Sequence, residues 1–204
     1  MAVRVGSGWL KGMTLATPAG LGTRPTASRT REAVANMLAP YWQDTMVLDL
    51  FAGSGALGFE AISRGARGAV WVEQGGEALR SLRANREEMR KRAASDKRTI
   101  DPQEILAVSV DACWSKLRPF GPFGLVWADP PYQDIPHWAG ILAREAPGIL
   151  NDGGILAVEG NEAGMSSLRD AMRQDRGFQL IKDRRYGYAH VLVWQFTWVP
   201  ASSR

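Results

Sequence analysis

Cysteine and histidine are almost missing from this chain: Cys113 is the one cysteine, and His137 and His190 are the two histidines. An internal disulfide is therefore excluded and no cluster with zinc spacing can be assembled, so a reducing compartment and no metal are expected. Long apolar runs are missing too. None approaches about 18 residues, and no charged leader followed by an apolar core opens the chain, so neither secretion nor a membrane span is expected and the cytoplasm is the predicted location. Charge of one sign is not in large excess, since Lys and Arg outnumber Asp and Glu by 25 to 21, a formal +4. The small excess is uneven. Within residues 1–45, Arg4, Lys11, Arg24, Arg29 and Arg31 face only Glu32 and Asp44, which points to an amino-terminal surface for phosphate. With 204 residues, 45% of them hydrophobic, the chain can bury one full core and at most a small second unit.

From Met46 onward strand-like and helix-like patterns alternate: 47–51, 56–64, 69–73, 77–91, 105–110, 112–117, 124–128, 138–145 and 154–159. Such alternation predicts parallel strands with crossover helices, an α/β doubly wound sheet. Residues 178–186 and 188–198 then read as two strands joined at Gly187, a hairpin that adds an antiparallel strand. Upstream, 3–5 and 13–16 read as short strands around Gly6 and Gly8, followed by a helix capped by Ser28 and ended by Pro40. Residues 1–45 are thus expected to form a β-hairpin and helix extension on a main domain, 46–204. The polar stretch from Ala93 to Gln103 reads as an exposed loop, and Arg90-Lys91-Arg92 as a solvated helix end. Trp127, Trp194 and Trp198 read as core or hairpin packing.

Asp129-Pro130-Pro131-Tyr132 follows the apolar run Phe123 to Ala128, so it stands at the carboxyl end of a buried strand, where open α/β sheets bind ligands. Two prolines fix φ and hold the preceding residues extended, which lets Asp129 and the Pro130 carbonyl converge as acceptors on one planar amino group. Tyr132 offers a face on which a base can stack.

A glycine-rich turn, Asp49-Leu50-Phe51-Ala52-Gly53-Ser54-Gly55-Ala56-Leu57-Gly58, joins the first core strand to a helix. Gly53, Gly55 and Gly58 have the spacing of a nucleotide-binding turn, and Glu73 lies 20 residues after Gly53, where it can bind ribose hydroxyls. A dinucleotide would bring its pyrophosphate to a helix start beside the negative Asp49. S-adenosylmethionine has no phosphate and carries two cationic groups, so Asp49 favours it, and the backbone from Phe51 through Ala52, Gly53, Ser54 and Gly55 can approach its methionine portion. The alternative is that Asp49 only caps the turn. Asp111 either accepts from an adenine amino group, with Ala112 beside it, or serves as a helix N-cap.

Three stretches together resemble the RsmD-like family of 16S ribosomal RNA guanine-N2 methyltransferases, within the class I S-adenosylmethionine-dependent methyltransferases: residues 24–32 (RPTASRTRE), 48–66 (LDLFAGSGALGFEAISRGA) and 128–132 (ADPPY). The similarity runs in order over nearly the whole length. It implies a Rossmann-like, mostly parallel seven-stranded sheet, cofactor contact from Thr26 as well as from the glycine turn, and RNA contact from Arg24, Arg29 and Arg31. Catalysis is implied for Asp129, Pro130 and Tyr132, on ribosomal RNA or a small-subunit particle, by a monomer. Departures are Ser28 where the family has Asp, and Gly75 and Gly76 where an acid or amide often follows the ribose-binding acid. Three other readings compete: a DNA adenine-N6 or cytosine-N4 methyltransferase, an NAD-dependent oxidoreductase, and a non-catalytic RNA-binding assembly factor. The first lacks a segment long enough to read base edges in a duplex, and the last would show a damaged turn or clamp.

Overall fold

The structure, a computed structural model, describes residues 3–18, 25–100, 102–174, 177–187 and 189–198, and for residues 25–29 the backbone alone. In chain order the elements are β1 (Val3–Arg4), β2 (Thr14–Leu15), α1 (Pro25–Leu38), β3 (Met46–Leu50), α2 (Ala56–Ser63), β4 (Gly68–Glu73), α3 (Gly76–Ser95), β5 (Gln103–Ala107), α4 (Trp114–Leu117), β6 (Phe123–Ala128), α5 (Ile135–Glu145), β7 (Leu150–Gly160), α6 (Glu162–Arg173), β8 (Phe178–Tyr186) and β9 (Ala189–Phe196). The large sheet has seven strands in the order β5-β4-β3-β6-β7-β9-β8. The first five run parallel, and β9 and β8 are antiparallel, as the Gly187 hairpin predicts.

Both faces of the sheet are covered, and the strands show it by period-2 sorting of their side chains. Val47, Trp71, Leu125, Trp127, Ile155 and Val193 pack on one face, against α1, α2, α3 and residues of the amino-terminal hairpin such as Val5, Leu10 and Met13. Leu48, Val70, Val126, Leu156 and Leu192 pack on the other, against Leu142 of α5 and Leu168 of α6. The central strands must therefore be apolar at nearly every position, which is why β3 is buried throughout, whereas the edge strands β5 and β8 carry polar residues and no fully buried one.

Gly58, in α2, shows how tight this packing is. A Cβ there would lie 2.3 Å from Trp71 Nε1 and 2.7 Å from Trp71 Cε2, and Trp71 is fully buried with its Nε1 donating to the Gly55 carbonyl. Gly to Ala inside a helix gains up to about 1 kcal/mol of propensity, but overpacking a rigid indole costs about 1–3 kcal/mol. Gly58→Ala is expected to be net destabilising, with a lowered urea midpoint and an unchanged m-value; an equal or higher midpoint would refute the packing account.

Several boundaries differ from the sequence reading. The first long helix starts at Pro25, not Ser28, because proline's fixed φ suits a helix's first turn; Ser28 lies inside the helix and does not cap it. It ends at Leu38, where the chain tightens into a 3-10 turn, Ala39–Tyr41, containing Pro40. Helix α3 continues to Ser95, so the polar stretch expected as a loop from Ala93 begins inside the helix. Arg92 is held by Glu88 one turn back at 2.8 Å, Arg90 Nε donates to Gln103 Oε1 at 3.2 Å, and Arg90 and Lys91 remain exposed. The alternation omits α6 altogether. Its start is capped by Asn161, whose Oδ1 accepts from Gly164 N at 3.0 Å, and Met165, Leu168 and Met172 form its buried stripe. Trp127 and Trp194 are buried as expected, whereas Trp198 lies beyond the end of β9 and is 64% exposed.

Candidate active site

Register builds the site. Leu50 of β3 pairs with Val72 of β4 and Ala128 of β6, and Ala128 pairs with Val158 of β7. Glu73 ends β4, Phe51 and Asp129 directly follow β3 and β6, and Glu159 is next to last in β7, so the four lie in one row along the carboxyl edge of the sheet: Glu73, Phe51, Asp129, Glu159. The sheet order reverses between β3 and β6, so Phe51 and Asp129 flank the switch point where a doubly wound sheet opens a crevice.

On the β3 side the turn is strained. Phe51 has φ +62°, a left-handed conformation that costs a non-glycine residue about 1–2 kcal/mol, and its ring is held edge-on to Trp138 at 4.9 Å. Gly53, φ +56°, turns its amide to Glu73 Oε2 at 2.7 Å, and a Cβ on it would meet nothing within 4 Å. The turn thus presents bare backbone to open space. Glu73 Oε1 accepts from Gln74 N at 2.8 Å and Gly75 N at 2.7 Å, so Gly75 serves this acid through its backbone. A carboxylate has about four lone-pair sites, and three are occupied here, leaving acceptor capacity beside the turn. Asn85 of α3, 3% exposed, fastens the turn from behind: its Nδ2 donates to Ser54 O at 2.9 Å, while its amide pairs with both backbone groups of Ala16, after β2.

Asp49 lies beneath this turn, 2% exposed, accepting from Gly58 N at 3.3 Å. Burial pushes its carboxyl well above the usual carboxylate range, and the nearby charges of Asp129 and Glu73 push the same way. Its contact is the capping one; any influence on a bound cation is exerted from below the turn.

On the β6 side, Pro131 is extended (φ −53°, ψ 127°), and Tyr132 opens a 3-10 turn, Tyr132–Asp134. The Tyr132 hydroxyl donates to Glu159 Oε1 at 3.1 Å. Asp129 is exposed, directly after the end of β6. Enclosure first, then the charge of Glu159, push its carboxyl up to about 8, with Arg31 opposing; access to water limits that rise. Glu159 is also raised, chiefly by burial, with the Tyr132 hydroxyl and Arg31 opposing. Two neighbouring acids of this kind do not ionise independently. Burial and both acids raise the Tyr132 phenol as well. Arg31, half-buried, is lowered by desolvation and faces Glu159, Asp129 and Glu60. The structure therefore sets Arg31 over the acid pair, where the sequence reading assigned it only to RNA.

The remaining expected residues are less central. Asp111 sits inside a 3-10 turn, Val110–Ala112, whose cap position is Ser109, so it is no helix N-cap; it is exposed, with Oδ1 3.5 Å from His137 Nε2. Ala112 is exposed beside it. Thr26 and Arg29 lie on α1, where their side chains are outside what is described, and Arg24 falls outside the described residues. Glu159 and Asn85 were not expected. Glu159 carried the same signal as Asp129, an acid ending an apolar strand run, without the prolines that drew attention to Asp129. Among the described residues no group of three or more His, Cys, Asp or Glu could hold a metal ion, and no helix is long and apolar enough to cross a membrane.

Residues 3–195 match the family model described as Conserved hypothetical protein 95. Over 157 residues the chain is 36% identical to Ribosomal RNA small subunit methyltransferase D of Escherichia coli K12, covering 77% of this chain and 71% of that protein. It is 31% identical over 157 residues to Putative rRNA methyltransferase YlbH of Bacillus subtilis 168, covering 77% and 82%. The solved structure of the putative methyltransferase yhhF from Escherichia coli superposes with a TM-score of 0.70 at 27% identity, covering 97% of this chain and 99% of that one. With the sheet order, the glycine turn and the Asp-Pro-Pro-Tyr edge all in place, the chain belongs to the RsmD-like methyltransferase family.

Proposed function

We propose that this protein is an S-adenosylmethionine-dependent methyltransferase acting on the exocyclic N2 amino group of a guanine in small-subunit ribosomal RNA. The observation that carries this reading is the row of strand ends that sets Asp129, with its two prolines and Tyr132, beside the glycine turn and Glu73. The turn fits the cofactor: Gly53 presents bare backbone to open space, and Glu73 retains acceptor capacity where ribose hydroxyls would lie. Glu73 and the backbone from Phe51 through Ala52, Gly53, Ser54 and Gly55 would hold it, with Asp49 beneath and Thr26, Asp111 and Ala112 at the margins. When bound, S-adenosylmethionine supplies a methyl group made electrophilic by its sulfonium.

The chain's own residues prepare the acceptor. A guanine N2 lone pair is delocalised into the ring and is a poor nucleophile at rest. Asp129 and the Pro130 carbonyl accept the two amino hydrogens and favour a pyramidal nitrogen, while Tyr132 stacks on the base and fixes its plane. As the new N–C bond forms, Asp129 stabilises the positive charge on nitrogen and takes the proton that nitrogen releases, a task suited to an acid whose affinity for protons is raised. Arg31 offsets the charge of the acid pair. Arg24 and Arg29 contact RNA phosphates, residues 1–45 cover the site, and the base enters unstacked from a structured RNA. The protein works as a monomer, in the cytoplasm with the ribosomes.

Mass spectrometry of ribosomal RNA from cells lacking the protein is expected to show one N2-methylguanine missing from the small subunit. Unchanged small-subunit RNA, or preferential methyl incorporation into duplex DNA by the purified protein, would refute the assignment. Calorimetry supplies the cofactor test, with S-adenosylmethionine expected to bind and NAD not.

A further inference from the structure

An amino-group clamp built on Asp129 fits guanine N2, adenine N6 and cytosine N4 alike. What differs is the ring atom next to the amino group. Guanine N1 carries a hydrogen, whereas adenine N1 and cytosine N3 carry a lone pair. Flipped bases are read along this edge. Asp129, directly after β6, and Glu159, next to last in β7, each stand one residue beyond the register pair Ala128 and Val158 of these adjacent parallel strands, near enough for the charge of Glu159 to act on Asp129. Glu159 is further held by the Tyr132 hydroxyl at 3.1 Å, which fixes it at the edge of the ring on which the base stacks. Among the described residues, Arg31 is the cation that faces both acids.

Resting on the guanine N2 reading above, we propose that Glu159 determines base specificity: its carboxylate accepts the guanine N1–H while Asp129 accepts the adjacent amino hydrogen. Two acceptors side by side match a base edge with two donors side by side, and they repel the lone pair that adenine or cytosine presents at the same place. Adenine would need a donor at that place, and a carboxylate there only accepts. Guanine brings a hydrogen to each of the two acceptors.

The test pairs Glu159→Gln with 2-aminopurine, which keeps the amino group of guanine but has a lone pair at N1. Small-subunit ribosomal RNA, free and reconstituted into particles, carries guanine or 2-aminopurine at the nucleotide identified by mass spectrometry. The unchanged protein is expected to favour guanine by roughly 10- to 100-fold, the scale of one good polar base contact. In Glu159→Gln the amide nitrogen can donate to the bare N1, and the amide oxygen can still accept from Tyr132. That ratio is therefore expected to fall by about tenfold or more, with a faster absolute rate on 2-aminopurine. The fluorescence rise of 2-aminopurine as it unstacks into the site should strengthen in the variant, a readout independent of turnover. Loss of the oxygen at C6 affects both proteins equally and cancels in the comparison. Equal losses on both bases in the variant would overturn the role of Glu159 while leaving the function standing. Failure of the unchanged protein to methylate guanine N2 would overturn both.

Discussion

Asp129→Asn is expected to lower methyl-transfer turnover by about 10³-fold while S-adenosylmethionine affinity changes less than about twofold, the pattern of a group that acts in the transition state. Asn keeps one acceptor for an amino hydrogen, but it loses the charge that stabilises the developing cation and the site that takes the released proton. Single-turnover kinetics with cofactor calorimetry check this; unchanged turnover would remove Asp129 from the chemistry. The same substitution should act in the opposite direction on stability. The Asp129 carboxyl sits at about 8 in the fold, above its unfolded value, so the folded state holds more protons between about pH 4 and pH 8 and unfolding free energy falls across that window. At pH 8 Asp129→Asn is expected to be more stable than the unchanged protein by about 1 kcal/mol, a figure kept small because the carboxylate has access to water. Near pH 4 the difference should vanish. Urea titrations at both pH values provide the check, and a constant difference would show that the gain has another source.

Glu73→Ala is expected to weaken S-adenosylmethionine binding by about 100-fold, with turnover at saturating cofactor largely retained. The side chain holds the Gly53, Gln74 and Gly75 amides at once, so its loss removes the ribose acceptor and also releases the turn that presents bare backbone. Glu73→Gln should recover little. One arm of an amide is a donor, so whichever way it is placed, a nitrogen faces either the Gly53 amide or the Gln74 and Gly75 pair. Calorimetric affinities for the two variants decide the matter: a Gln variant close to the unchanged protein would mean that acceptor geometry at Gly53 is unimportant.

Much of this architecture is written locally. Strand runs, the glycine turn and the Asp-Pro-Pro-Tyr edge are contiguous in sequence, and apolar strands buried on both faces announce a covered parallel sheet. Helix α6 is legible in its sequence, since Met165, Leu168 and Met172 recur at helical spacing after Asn161. The site residues that were missed share another property. Glu159 gains its place from the pairing of β6 with β7, and Asn85 from contacts with Ala16 and Ser54 at separations of 69 and 31 residues. No local pattern encodes such partners. Arg31 shows the same limit, because an arginine of α1 looks the same in sequence whether it meets only solvent or the acids Asp129 and Glu159.

Asn85 also sets an order of assembly. As the chain leaves the ribosome, the amino-terminal hairpin and the glycine turn are both made before α3, yet each awaits a bond from that helix. Ala16 and Ser54 thus both precede the side chain that joins them, and these three hydrogen bonds can form only once Asn85 has been made. A nascent chain halted before residue 85 would carry every glycine of the motif and still lack the scaffold that holds the turn in place.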